Sequence, residues 1–394
     1  MPLASPPADT ARVGADSVFG YVLRTAETTP AGVRWRTLDY EDRPHYGPDV
    51  FNGVAGIPLF LAEYYAHTGA APARELALGG ARWCEPPERW GDNDSLCFGR
   101  GGAVLAWLRL ARVTGDGALL ARAAAAAARL ADRAPGPVTD FLGGAAGEVI
   151  LLVRLWEAAG DERYLAAAQR RAAWLEAHAV RDAAGCHWPM RVDAPEGWAL
   201  WGFAHGAAGI GHALLVLAAA TGQARWADLA REVAQTLRRA ARPDRGGLNW
   251  PAAVGATDLP RCQWCHGAPG VGLFYAKAHE VLGAAADLQT AEAAGETTYA
   301  YGDVRRNPSQ CHGLAGNAEL FLDLYRLTRA PRWLDRAHDF ARRALAYRVP
   351  GPDGDAWQAD APGATSPDYL CGAAGVGHFF LRLAAPEAVR MPLQ

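Results

Sequence analysis

Seven stretches of the chain share a G-x-x-G core that runs into apolar residues, and this repeat restricts the fold more than any other feature. They are FNGVAGIPLFLAEYY (51–65), CFGRGGAVLAWLRLA (97–111), FLGGAAGEVILLVRL (141–155), FAHGAAGIGHALLVL (203–217), WCHGAPGVGLFYAKA (264–278), QCHGLAGNAELFLDL (310–324) and YLCGAAGVGHFFLRL (369–383). The first glycines stand at 53, 99, 144, 206, 267, 313 and 372, giving intervals of 46, 45, 62, 61, 46 and 59 residues. The intervals also hold amphipathic stretches such as ALLARAAAAAARLADRA (118–134), ERYLAAAQRRAAWLEAHA (162–179), ARWADLAREVAQTLRRAA (224–241) and PRWLDRAHDFARRALAY (331–347). Their apolar residues recur at helical spacing with Arg and Asp opposite, the pattern of a helix packed on one side. Each repeat therefore reads as a glycine turn, an apolar inner helix and an amphipathic outer helix.

Seven such pairs close most economically into an all-α fold, an α/α toroid with seven inner helices inside seven outer ones. An open solenoid would need polar capping repeats at its ends, yet the last repeat, GAAGVGHFFLRLA, is as apolar as the middle ones. An inner helix that starts tightly beside its neighbours needs backbone without a Cβ, which is the expected reason for the glycines. Short Trp–Pro pieces, HWPM (187–190) and NWPA (249–252), and the related AWQAD (356–360), predict β-hairpin connections whose tryptophans pack. One domain over 1–394 is expected, with residues 1–15 flexible and 350–356 in a loop.

Composition removes several classes of function. A net charge of −3, from 39 basic and 42 acidic residues, gives no reason to expect nucleic acid or an anionic membrane as partner. The start of the chain lacks the pattern of a signal peptide, and no run of about 18 apolar residues predicts a transmembrane segment. Seven cysteines (84, 97, 186, 262, 265, 311 and 371), an odd number, favour reduced thiols and a cytoplasmic location.

The residues just before each glycine core would meet at one end of such a toroid. They include Asn52, Cys97, Asp140, His205, Cys265 with His266, Cys311 with His312, and Cys371. Two thiols and an imidazole near helix N-termini suit zinc over calcium or magnesium. Cys265, Cys311 and His312 would make three ligands and leave one position open, as in catalytic rather than structural zinc sites. A single Cys-His-Gly is more often a buried turn, but here it recurs in adjacent repeats, with Ala-His-Gly in a third.

WCHGAPG, CHGLAGNAEL and GFAHGAAGIGHALL resemble the motifs of the lanthionine synthetase C-like family, the lantibiotic cyclases, and the likeness runs from residue 53 to residue 382. The resemblance implies an α/α toroid with one zinc ion held by Cys265, Cys311 and His312. It further implies an acid/base role for His205 with Asp140, and a role for the basic residue Arg261. Cyclase relatives often carry Tyr after the zinc cysteine. His266 at that place is more like the cyclase domains of bifunctional lanthipeptide synthetases and the eukaryotic members. No inserted β-rich domain is expected, and a dehydratase or kinase/lyase would be a separate partner.

The reaction so implied is intramolecular Michael addition of Cys thiols to dehydroalanine or dehydrobutyrine in a dehydrated precursor peptide, forming thioether rings. It needs a thiolate near neutral pH and a proton for the enolate carbon. His205 suits the proton transfers, Asp140 would orient it, His266 is a rival acid, and Arg261 would stabilise the enolate oxygen. The competing roles are a helix cap for Asp140 and a surface salt bridge for Arg261. Cys97, Cys186, Cys262 and Cys371 are assigned to packing, and His212 and His378 to the core or the cavity wall. Two alternatives stand beside cyclisation: addition of glutathione to dehydroamino acids, and a non-catalytic zinc-stabilised scaffold that binds a partner synthetase. Protein prenyltransferase β-subunits also use zinc and thiolate in an α/α barrel, but with an Asp ligand and other repeat motifs.

Overall fold

The structure, a computed structural model, describes residues 7–194 and 196–394, with side chains from Thr10 onward. Seven helices follow the seven glycine cores: α2 (Ile57–Thr68), α4 (Gly101–Thr114), α6 (Ala145–Ala159), α8 (Ala207–Thr221), α10 (Ala268–Leu282), α12 (Leu314–Thr328) and α14 (Ala373–Ala384). Among the described residues seven more alternate with them: α1 (Pro7–Arg24), α3 (Ala71–Trp83), α5 (Gly117–Asp132), α7 (Glu162–Ala177), α9 (Ala224–Ala240), α11 (Ala285–Tyr301) and α13 (Pro331–Leu345). The two sets differ in burial as the sequence predicts. Every residue of α8 from Ala207 to Ala218 is buried, whereas α9 buries a stripe of Trp226, Leu229, Ala230, Val233, Ala234, Thr236 and Leu237.

The chain packs as two compact units. One comprises the residues up to Asn93, Gly102–Ala126 and Asp303–Pro392; the other comprises Asp94–Gly101, Ala127–Gly302 and Leu393–Gln394. In the second unit α6, α8 and α10 pack side by side, backed by α7, α9 and α11. In the first, α12, α14 and α2 pack side by side, backed by α13, α1 and α3. Helix α1 precedes the first glycine core in sequence yet packs against α14, the inner helix of the seventh repeat. A Cβ on Gly14 would lie 2.5 Å from the Phe380 ring, and Ala11 and Ala15 are buried. The expectation of a flexible start is therefore corrected for residues 10–15, because apolar contact with α14 holds them; residues 1–6 lie outside the described residues.

The glycines answer a closer obstacle than a neighbouring helix. A Cβ on Gly206 would sit 2.2 Å from the carbonyl oxygen of Leu200, in its own turn. On Gly209 it would sit 2.0 Å from the Phe203 oxygen and 2.9 Å from Phe141 Cβ of the preceding turn. Only glycine admits so close a backbone approach. Successive turns are also joined by backbone hydrogen bonds. In the second unit Cys97 N donates to Leu142 O (2.9 Å), Leu142 N to Ala204 O (3.3 Å) and Ala204 N to Cys265 O (3.2 Å). In the first unit Cys311 N donates to Leu370 O (2.8 Å) and Leu370 N to Phe51 O (3.1 Å). All seven residues stand two before the first glycine of their cores, so equivalent positions of neighbouring turns are drawn together.

The three predicted hairpins form as antiparallel pairs: β5 (Val180–Asp182) with β6 (Gly185–His187), β7 (Arg242–Asp244) with β8 (Gly247–Asn249), and β9 (Arg348–Val349) with β10 (Ala356–Trp357). Two more, not predicted, join α1 to the first repeat: β1 (Ala26–Thr29) with β2 (Gly32–Trp35), and β3 (Thr37–Leu38) with β4 (Pro44–His45). The tryptophans pack, as expected, and also bond. Trp188 Nε1 donates to Leu175 O (2.6 Å), Trp250 Nε1 to Leu237 O (2.7 Å) and Trp35 Nε1 to Val22 O (2.7 Å). Each acceptor is a carbonyl at the C-terminal end of an outer helix, where intrahelical partners run out. No described helix is long and apolar enough to cross a membrane.

Candidate active site

The turns before α6, α8 and α10 carry one half of the predicted constellation, all within the second unit. The buried Asp140 accepts the Gly143 N–H on Oδ1 at 2.7 Å, tying its own turn. Its Oδ2 accepts from His205 Nδ1 at 2.7 Å. Asp140 is not the cap of α6, whose N-cap is Gly144 without a side-chain hydrogen bond; one of its oxygens ties its own turn and the other holds His205. Burial works against a charge on His205, but the hydrogen bond and the negative charge of Asp140 outweigh it, and the pKa of His205 is raised. The His266 ring lies 5.9 Å from that of His205, nearly parallel to it, and is buried. Arg261 is exposed, and its charge acts on His205 in the opposite sense to Asp140.

Cys265 is buried on this ladder of turns, its carbonyl accepting the Ala204 N–H. Cys262 is a different kind of thiol. Burial pushes its pKa up to about 12, against a hydrogen bond with Thr298, so it stays protonated and is a poor metal ligand. Two residues outside the predicted set shape this turn. Asn249, at the end of β8, accepts the Ala268 N–H at 2.8 Å and donates to Arg261 O at 3.2 Å, holding both ends of the Cys265 turn. Gly202 leaves room for the imidazole: a Cβ there would lie 2.4 Å from Cys265 O and 2.6 Å from His266 Nδ1. The NWPA motif pointed to Asn249 as a hairpin residue; nothing in the spacing singled out Gly202.

The first unit holds Cys311 and His312. Cys311 is buried, and the His312 N–H is accepted by Ser309 Oγ at 3.3 Å. His312 Nδ1 donates to Asp360 Oδ2 at 2.8 Å. His312, Asp360 and Cys371 offer ligand atoms within 4.8 Å of one another. In the sequence Asp360 stands only at the end of a hairpin piece; the signal that points to it is the need of a ligating imidazole for an acceptor on its second nitrogen. His212 and His378 are buried core residues, and burial depresses the pKa of His378 to about 3, so it is neutral. Among the described residues the seven cysteines form no disulfide.

A family model described as "Lanthionine synthetase C-like protein" matches residues 44–393. "Glutathione S-transferase LANCL1" of Danio rerio is 32% identical over 194 residues, 48% of this chain and 44% of that protein. "LanC-like protein GCL1" of Arabidopsis thaliana is 35% identical over 149 residues, 37% of this chain and 32% of that protein. The chain thus spans less than half the length of these curated relatives. Among solved structures, "Nisin cyclase" is similar with a TM-score of 0.67 at 16% identity, over 95% of this chain and 94% of that one. This likeness shows the fold class that the repeat predicts, an all-α α/α toroid with short hairpin connections.

Proposed function

The chain belongs to the lanthionine synthetase C-like family, and on that premise we propose that it is a zinc-dependent lanthipeptide cyclase. Its substrate is a dehydrated precursor peptide, whose cysteine thiols add to dehydroalanine or dehydrobutyrine of the same peptide to close (methyl)lanthionine rings. A separate dehydratase or kinase/lyase supplies the dehydro residues, and the work is done in the cytoplasm. The observation that carries this reading is the Asp140–His205 hydrogen bond of 2.7 Å, in turns linked by backbone bonds to that of Cys265.

The donor set fits zinc. Cys265 and Cys311 are buried thiols, and His312, whose Nδ1 faces a carboxylate, carries its lone pair on Nε2. These three residues would hold the ion, one per chain. The chemistry such an ion supplies is Lewis acidity, which lowers the pKa of a substrate thiol from about 8.5 toward neutrality. The remaining steps belong to the protein. With Nδ1 given to Asp140, His205 exchanges protons through Nε2. It receives the thiol proton as the C–S bond forms, and returns a proton to the α-carbon as the enolate collapses. No atom is gained or lost overall. His266 is the rival donor for the second transfer. Arg261 provides positive charge for the enolate oxygen.

A second reading adds glutathione to dehydroamino acids. It is favoured by His266 after the metal-binding cysteine and by the 32% identity to the Danio rerio glutathione S-transferase. One assay separates the two. Purified protein is incubated with a dehydrated peptide that retains its cysteines, with and without glutathione. Cyclisation leaves the mass unchanged and removes alkylatable thiols. Persistent thiols with glutathione adducts favour the second reading, and no change in either arm leaves the scaffold role. Metal analysis should find about one zinc per chain, lost in Cys311→Ala; unchanged zinc there would remove that ligand.

A further inference from the structure

His205 and His312 occupy the same place in their turns, each directly before the first glycine of its core. Both imidazoles give Nδ1 to a carboxylate, at 2.7 Å to Asp140 and at 2.8 Å to Asp360. The carboxylates have different origins. Asp140 belongs to the preceding turn, whereas Asp360 lies beyond the repeat pattern, in the segment that leaves β10.

Asp360 is itself held in place. Its Oδ1 accepts from Ser309 Oγ at 3.1 Å and also from Asn307 Nδ2. Its backbone oxygen accepts from Asn307 Nδ2 at 3.3 Å, and its N–H donates to Cys371 O at 2.7 Å. Asn307 and Ser309 lie on the loop that ends in Cys311 and His312, so one carboxylate fastens that loop and its imidazole together.

His312, Asp360 and Cys371 are also near enough for all three to ligate one ion directly. The hydrogen bonds argue against this. Three of the four lone pairs of the carboxylate are already engaged, two on Oδ1 by Asn307 and Ser309 and one on Oδ2 by the imidazole N–H. The same N–H makes Nδ1 a donor, which places the ligating lone pair on Nε2, across the ring from Asp360.

We propose that Asp360 is the positioning residue for His312: it fixes the Nδ1–H tautomer, sets the ring's orientation, and makes Nε2 a stronger ligand. Asp360 itself is not a ligand. The inference rests on the zinc reading above. Loss of such a partner typically weakens metal binding by about 10–100-fold.

The test uses the zinc-loaded full chain in competition with a chromogenic chelator, which reads affinity and stoichiometry without an activity assay. Asp360→Asn keeps an acceptor but loses the charge, and should bind zinc roughly 10-fold more weakly. Asp360→Ala should approach 100-fold. Cys371→Ser should match the unaltered protein. Nitrogen-15 NMR of labelled histidines gives the second readout. His312 should show protonated Nδ1 in the unaltered protein, and a changed signal in Asp360→Ala. Wild-type affinity and an unmoved His312 signal in both Asp360 variants would overturn the proposal. Loss of zinc in Cys371→Ser equal to that in Asp360→Ala would overturn it in favour of direct ligation. If the unaltered protein takes up no zinc, the metal reading itself falls, an outcome distinct from either.

Discussion

The His205 imidazole donates Nδ1–H to Asp140 Oδ2 across 2.7 Å, joining turns whose residues lie 65 positions apart in sequence. The other oxygen of Asp140 holds the Gly143 N–H at 2.7 Å, so one carboxylate both shapes a turn and orients an imidazole.

Asp140→Asn should separate these roles. Asn keeps an acceptor for the Gly143 N–H but lacks the charge that, against burial, raises the pKa of His205. The pKa of His205 should fall in the variant. If its protonated form delivers the α-proton, the descending limb of the pH–rate profile moves to lower pH; an unmoved limb would mean that another group titrates. His205→Ala should retain zinc and lose about 10²–10⁴-fold in kcat. Full activity there would remove His205 from the mechanism.

Gly202→Ala should damage the site without removing any of its polar groups. The new methyl would meet Cys265 O at 2.4 Å and His266 Nδ1 at 2.6 Å, and a backbone oxygen cannot swing aside. A loss of about 1–3 kcal/mol is expected, with activity reduced beyond what that loss explains. Chemical denaturation and kcat on the same sample check both parts. Unchanged values would show that the turn relaxes.

Arg382→Met should cost about 3–5 kcal/mol. Arg382 is wholly buried on α14, paired with the equally buried Glu319 and with Asp323 of α12. Removing the guanidinium leaves a carboxylate without its counter-charge. Denaturant midpoints measure this, and adding Glu319→Gln should recover part of the loss. A loss below about 1 kcal/mol would mean that water or a proton replaces the arginine.

Asp368 should make stability depend on pH. Burial raises its pKa to about 7, opposed by hydrogen bonds from Ser366 and the Cys371 N–H, and reinforced by the nearby charges of Asp49 and Asp360. The unfolded chain releases this proton near pH 4. Between about pH 4 and pH 7 the folded state therefore binds more protons, and stability falls as pH rises, then levels off. In Asp368→Asn that slope should flatten, leaving the variant more stable than the parent at pH 8 and closest to it near pH 4. Parallel thermal midpoints across this range would refute the assignment.

Much of the site was legible because its parts obey the repeat. His205, Cys265 and His266 in the second unit, and Cys311 and His312 in the first, stand one or two residues before a glycine core, and within each unit the backbone ladder brings such positions side by side. Cys262 stands outside that register and is a buried, protonated thiol. Asp360, Gly202 and Asn249 were not legible as site residues, since each acts on a turn other than its own.

The helix pairing within repeats, the glycine turns, the hairpins with their packed tryptophans and the register of the metal-binding candidates can all be read from the residues in order. These follow from local periodicity, and from steric limits such as the 2.2 Å approach at Gly206 that no Cβ survives. That α1 covers α14 and that Asp360 holds His312 emerge from the packing alone. Both depend on surfaces brought together from distant parts of the chain. A hydrogen bond of 2.8 Å between residues 48 positions apart follows from how the intervening helices and hairpin pack, which no motif spacing encodes.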